Sequence, residues 1–202
     1  PEIMLTRIAE ATSTIRVGSG GVMLSHYSPY KVAEMFRLLE VMYPGRIDLG
    51  IGRAPGSDGI TAQALGYGSP VGVEYYPARV ADLSAFLAGS PPPTDAFAEV
   101  KALPETENVP EIWVLGSSDS SAGCAAHFGL PFSFAHFIMP RGGAGVMKAY
   151  KETFKPSELF DAPRDSVAIF VVCAESEEES KRLSASRDLF RLRASRGEFV
   201  PY

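Results

Sequence analysis

Three short stretches hold residue types that could do chemistry. Gly116-Ser117-Ser118-Asp119-Ser120 follows an apolar run and opens a helical pattern. Glycine admits a ligand close to the backbone, and the first amides of a helix, flanked by serine hydroxyls, bind phosphate oxygens. Asp119 opposes an anion unless its carboxylate points away, and taken alone the stretch also describes a serine-rich helix cap. Arg53 is the second candidate. It follows the apolar run Ile47–Ile51, between Gly52 and Ala54-Pro55-Gly56. An arginine at the mouth of an apolar sheet needs an anionic partner, which is either a ligand or a carboxylate such as Asp58. Gly20-Gly21 is the third. Adjacent glycines inside an apolar strand indicate a bulge, a strained or cis peptide, or a flat object lying against the backbone; a packing accommodation is the alternative.

Other chemistry is thinly represented. The three histidines are His26, His127 and His136. His127 falls inside a helix and reads as structural. His26 and His136 follow strand ends and could each face a ligand or serve packing. Cys124 and Cys173 lie about fifty positions apart in apolar contexts, which fits reduced, buried thiols better than a disulfide or a metal site. No metal or catalytic residue is assigned. G-x-G-x-x-G after a strand, G-x-x-x-x-G-K-[ST], H-E-x-x-H and G-x-S-x-G are all absent.

These candidates are positioned by alternating strands and helices. The pattern predicts a helix from Pro1 to Thr12 with Ile3, Leu5, Ile8, Ala9 and Thr12 on one stripe. A strand over Ile15–Leu24 follows, then a helix from Pro29 to Met42. On that helix Val32, Met35, Phe36, Leu39 and Met42 make the inner face, and Lys31, Glu34, Arg37 and Glu40 the outer one. Ile47–Ile51 is the second strand. Ser57–Val71 reads as a loop with one helical turn near Thr61–Leu65. Tyr75–Leu87 is a helix, stopped by Gly89-Ser90-Pro91-Pro92-Pro93. Glu111–Leu115, Pro131–Ala135 and Val167–Ala174 are further strands, the last apolar on both faces like a buried parallel strand. Helices separate them, ending at Phe128 and near Phe154. The last helix begins at Glu175, Glu177, Glu178 and Glu179 and ends among Arg187, Arg191 and Arg193, matching the helix dipole, with its charges a solvated face. Strand–helix alternation without hairpins predicts an α/β fold with a parallel sheet, in one domain over 1–202.

Composition narrows the partners. The chain has 202 residues, enough for one sizeable core. A formal charge of −5 argues against nucleic acid or an anionic membrane. No apolar run approaches the ~20 residues of a membrane span, and the first residues lack a signal-peptide pattern, so the expected location is cytoplasmic.

Taken in order, the residues resemble the bacterial luciferase-like, flavin-dependent monooxygenase family. The resemblance rests on Ile15-Arg16-Val17-Gly18-Ser19-Gly20-Gly21-Val22-Met23-Leu24 and on Pro44-Gly45-Arg46-Ile47-Asp48-Leu49-Gly50-Ile51-Gly52-Arg53-Ala54-Pro55-Gly56. Ile112-Trp113-Val114-Leu115-Gly116-Ser117-Ser118 and Gly129-Leu130-Pro131-Phe132 complete it. It implies a (β/α)8 TIM-type barrel binding FMN, or in some branches a deazaflavin. Gly20 and Gly21 would then lie behind the flavin ring, Ala135 beside it, and Arg53, Gly116, Ser117 and Ser120 around the phosphate. It also implies reduced flavin from a partner reductase, oxygenation of an aldehyde-like or other small organic substrate, and a homodimer. Two departures accompany it. The five strands read here cannot close an eight-stranded barrel, so the expectation is a barrel incomplete at both ends. Leu24-Ser25-His26-Tyr27 stands where the family often has Leu-Pro-Asn-His, and a catalytic base would lie upstream of Pro1. A flavin-binding protein without turnover is the alternative function. A phosphate-binding barrel lyase or isomerase would need a Lys or Glu at a strand end, and none is there.

Overall fold

The strands pair in the order in which they leave the chain. The structure, a computed structural model, describes residues 2–54, 56, 58–67 and 72–198. Pro1, Pro55 of the turn after Arg53, and Ser57 and 68–71 of the expected loop lie outside them. The elements are α1 (Glu2–Glu10), β1 (Val17–Met23), α2 (Pro29–Met42), β2 (Ile47–Gly52), α3 (Gly59–Leu65), α4 (Tyr76–Ala88), β3 (Glu111–Gly116), α5 (Asp119–His127), β4 (Phe132–Ala135), α6 (Gly143–Thr153), β5 (Asp165–Ala168) and α7 (Glu177–Ser195). All pairings are parallel, in the order β1-β2-β3-β4-β5. An order without reversal keeps every right-handed crossover helix on one face, which is barrel winding and not a doubly wound sheet.

The two faces of the sheet differ as that winding requires. Leu49, Ile51, Ile112, Val114, Phe132 and Phe134 are at most 2% exposed on the helix side. Asp48, Gly50, Trp113, Leu115, Ser133 and Ser166 line the concave side. Glycine sets the spacing of the first two strands. A Cβ on Gly50 would stand 2.0 Å from the Ser19 carbonyl oxygen, and one on Gly21 would stand 2.6 Å from that of Gly50. The register of β1 against β2 shifts between Gly20 and Val22, and the Gly20–Gly21 peptide is cis.

Helix burial departs from the simple stripes. On α1 only Leu5 and Ala9 are buried, while Ile3, Met4 and Ile8 are exposed. On α2, Arg37 and Glu40 are buried, not solvated. Arg37 donates to the carbonyls of Pro104 (2.6 Å), Phe86 (2.9 Å) and Leu87 (3.0 Å), and Glu40 accepts from the Gly45 amide. The last turn of α4, the Pro104 loop and the turn after α2 supply these partners, which helical spacing does not reveal. Met42, expected inside, is 49% exposed.

The fifth strand is shifted from its expected place. The sequence pattern predicts Val167–Ala174; the ladder with β4 runs from Asp165 to Ala168. Its register is fixed upstream. The Arg164 carbonyl accepts from the Phe132 amide at 3.0 Å and from the Tyr150 hydroxyl at 3.0 Å, and Lys151 pairs with Asp165 at 3.0 Å. Among the described residues β5 pairs only with β4, so Val167 stays 52% exposed. Ion pairs tie the N-terminal ends of the strands: Arg16 to Asp48 (2.5 Å) and Glu111 (3.4 Å), and Glu111 to Arg164 (3.3 Å). The hydrogen bond to Asp48 raises the Arg16 pKa against burial. Arg46 donates to the Ala9 and Thr12 carbonyls and so caps α1.

Residues 2–168 form one compact unit and residues 169–198 a second. In the second, Ser176 caps α7 by accepting from the Glu179 amide, and Lys181–Glu177 and Arg182–Glu179 pair along it. No α7 residue is buried, in keeping with its charged sequence. Cys173, expected to be buried, is exposed.

Gly50→Ala is expected to destabilise the fold by at least about 3 kcal/mol, because backbone oxygen cannot step aside as a side chain can. Urea denaturation measures it, read against a Gly145→Ala control whose added Cβ meets nothing within 4 Å.

Candidate functional site

The C-terminal ends of the strands open into one cavity of about 480 Å³. Gly20, Gly21 and Met23 come from β1, Gly52, Arg53 and Ala54 from the end of β2, and Leu115 to Ser118 from the end of β3. Ser121 belongs to α5, Ser133 and Ala135 to β4, Phe137 and Ile138 to the turn after it, and Ala168 to β5. The volume lies in the usual range for a cofactor-sized cleft, and most of its lining is apolar.

The expected site residues converge with one exception. Gly20, Gly21, Arg53, Gly116, Ser117 and Ala135 all line the cavity. Ser120 does not; it is exposed, and the buried Ser121 stands in the lining instead. Helix geometry is the reason. Ser118 is the N-cap, accepting from the Ser121 amide, and residues three apart share a face while Ser120 rotates outward. Asp119 rotates outward too and is exposed, so its carboxylate is off the lining. Gly116 is where β3 meets α5: a Cβ there would stand 2.4 Å from Ser121 Oγ. Neither His26 nor His136 is among the lining residues. His127 meets Lys155 Nζ through Nδ1 at 3.2 Å, a surface contact.

Arg53 is held by its backbone and not by its charge. Ser25 Oγ donates to the Arg53 carbonyl at 2.6 Å, and the Leu24 amide to that of Gly52 at 3.0 Å. Arg79, on α4, donates to the Leu24 carbonyl at 3.1 Å and to that of Ser25. The loops after β1 and β2 and the first turn of α4 are thereby joined. Asp58, the carboxylate that could have paired with Arg53, is occupied as the cap of α3. It accepts from the Ile60 and Thr61 amides and the Thr61 hydroxyl, and the hydroxyl bond leads in holding its pKa below the usual carboxylate value. Among the described residues no carboxylate pairs with the half-buried Arg53 guanidinium. Its charge is felt by two groups, the half-buried Cys124, which the sequence places inside, and the buried Tyr76. Burial pushes the Cys124 thiol up to about 11, with Arg53 opposing. Burial raises the Tyr76 phenol as well, Cys124 adding to the rise and Arg53 opposing it.

Ser25, Tyr76, Arg79 and Ser121 are the neighbours that sequence reading did not single out. Ser121 was within reach of it, since an N-cap at Ser118 places the residue three on over the same end of the helix. Ser25 and Arg79 act through contacts more than 25 residues apart in the chain, which leave no local pattern.

Comparisons with known proteins agree with this geometry. The sequence model of a family described as luciferase-like monooxygenase matches residues 1–198. YceB, an uncharacterised protein of Bacillus subtilis (strain 168), is 48% identical over 197 residues, covering 98% of this chain and 60% of YceB. The crystal structure of apo-MsnO8 is similar with a TM-score of 0.84 at 42% identity, over 98% of this chain and 57% of MsnO8. The oxygenating constituent of 3,6-diketocamphane monooxygenase from Pseudomonas putida, a type II Baeyer-Villiger monooxygenase solved with FMN, shares the fold at 20% identity. Its TM-score is 0.61, over 98% of this chain and 62% of that one. The chain thus spans about 60% of the length of its curated relative. The architecture is that of these TIM-type barrels, with five strands among the described residues where a closed barrel has eight.

The contrast between the two thiols is testable. At pH 8 Cys124, held protonated by burial, is expected to alkylate at least tenfold more slowly than exposed Cys173, by roughly the loss of thiolate that its raised pKa implies. Peptide mapping after a timed iodoacetamide pulse measures the ratio, and denaturation should abolish it.

Proposed function

This chain belongs to the luciferase-like monooxygenase family, and on that premise we propose that its cavity holds FMN and serves oxygenation of a small, aldehyde-like organic substrate. Arg53, Gly116, Ser117 and Ser121 would hold the phosphate. Gly20, Gly21 and Ala135 would border the ring. When bound, reduced FMN supplies the activation of O2, and that chemistry belongs to the cofactor. The protein's residues bind and orient it and keep water out. The reading includes a flavin reductase partner and a homodimer, as the family resemblance implies.

The observation that carries the reading is a guanidinium without a carboxylate partner among the described residues, on an apolar cavity, beside the first turn of a helix. A cation so placed calls for an anion, and free helix amides add to that preference. A second feature fits a flat ring. A Cβ on Gly20 would meet nothing within 4 Å although Gly20 lines the cavity, so the wall there is bare backbone facing open space. The FMN held by the Pseudomonas putida fold relative adds support to this choice of flavin.

Arg53→Ala is expected to weaken FMN binding by roughly 1.5–3 kcal/mol while leaving riboflavin affinity nearly unchanged, since only FMN carries the phosphate. Titrations of flavin fluorescence give both constants. Equal losses for the two ligands would overturn the phosphate assignment. Flavin binding without oxygenation, tested with reduced FMN and an aldehyde panel, would leave a binding protein and not an enzyme.

A further inference from the structure

The inward faces of β4 and β5 carry hydroxyls where a barrel interior is ordinarily filled by bulky branched side chains. Ser133 on β4 lies opposite Ser166 on β5 in the ladder, and Ser166 Oγ donates to Ser133 Oγ at 2.9 Å. At the next inward positions toward the mouth, Ala135 lies opposite Ala168, and both line the cavity. Side chains that small leave the Ser133 hydroxyl open to the cavity, and Ser133 is part of its lining. On its other side Ser133 lies opposite Leu115, whose Cδ1 would stand 2.9 Å from a Cβ on Gly21. Gly20, Leu115 and Ser133 also line a second hollow, of about 220 Å³, on the concave side of the sheet. They are therefore a wall shared by the two spaces, and Ser133 is the one polar side chain of the three.

The serines of the cavity divide into two groups. Ser117, Ser118 and Ser121 gather where β3 meets α5, whereas Ser133 stands apart from them, on β4. Its oxygen accepts from Ser166, and its own proton has no acceptor among the described residues. A hydroxyl that accepts one hydrogen bond is polarised to donate the next. We propose that Ser133 donates a hydrogen bond to the polar edge of the flavin ring, with Ser166 as the positioning residue behind it. The proposal rests on the FMN reading above and deepens it at the ring, not at the phosphate. Hydrogen bonds from the protein to ring heteroatoms tune a flavin's electronics. Reduction adds electron density to the ring, so a donor there favours the reduced form and raises the potential of the bound flavin. Ser133 offers this contact to FMN and riboflavin equally, because the ring is common to both.

Ser133→Ala is expected to weaken FMN and riboflavin binding alike, by roughly threefold to tenfold, the loss of one neutral hydrogen bond. The visible absorption bands of the bound flavin should shift, and its reduction potential should become more negative. Ser166→Ala keeps the donor and should move all three readouts in the same direction by less. Fluorescence titrations with both flavins, absorption spectra at saturation and spectroelectrochemical titration of the bound flavin provide the measurements, and thermal unfolding of the free protein checks that each variant folds. The proposal is overturned if Ser133→Ala binds both flavins as wild type does. It is overturned if affinity falls while the spectrum and potential of the bound flavin stay put, because packing alone then accounts for the loss. It is overturned too if FMN binding suffers and riboflavin binding does not, since the hydroxyl then serves the phosphate. A wild type that binds neither flavin removes the FMN reading and this role together, whereas an Arg53→Ala variant that loses both flavins alike removes only the phosphate assignment.

Discussion

The approach of β1 to β2 is the constraint on which the site depends. Gly18, Gly21 and Gly50 stand where a side chain would collide with the neighbouring strand, and any Cβ there would come within 2.7 Å of Asp48, Gly50 or Ser19. Through Gly20, Gly21 and Gly52 the two strands present backbone to the cavity, with Met23 as the side chain beside them. The same closeness lets the Leu24 amide reach the Gly52 carbonyl and Ser25 reach that of Arg53. The glycines thus do two things. They flatten one wall, and they bring the loop that carries the arginine into line with it.

Charge is distributed unequally between the two ends of the sheet. At the N-terminal ends, Arg16, Asp48, Glu111 and Arg164 satisfy one another across half-exposed positions, where each pair contributes at most about 1 kcal/mol. At the C-terminal ends Arg53 has no such company among the described residues, and the first turn of α5 adds positive potential beside it. Asp58, the carboxylate that the sequence offers as a partner for the arginine, is engaged as the cap of α3. The first end is organised for cohesion and the second for reception.

Much of this was legible in the sequence because it is written in local signals. Strand–helix alternation gave the parallel sheet, and Gly20-Gly21, Arg53 and Gly116-Ser117 marked the strand ends that converge. What was not legible is non-local. Arg37 and Glu40 look like a solvated stripe until the carbonyls of Phe86, Leu87 and Pro104 and the Gly45 amide come to meet them. Val167–Ala174 looks like a buried strand because apolar runs do not carry register, which the Tyr150–Arg164 contact sets a few residues earlier. Ser120 and Ser121 cannot be told apart by composition, only by the phase of the helix once Ser118 is known to cap it. Tyr76 reads as one more core aromatic, and only coordinates reveal that its buried hydroxyl has no hydrogen-bond partner among the described residues.

Bare backbone on the β1–β2 wall has a chemical corollary. Peptide groups are inert toward the oxidants that a monooxygenase handles, so a wall of glycine has nothing to lose by standing next to them. Met23 is different: its thioether lies on the same lining, against Gly52 and Gly56, and it is the one sulfur there among the described residues. If the cavity serves oxygenation as proposed, stray oxidising equivalents would convert it to the sulfoxide, a change that repair enzymes can reverse. That side chain would then serve as the molecule's wear gauge, recording in one atom how often the chemistry misfires.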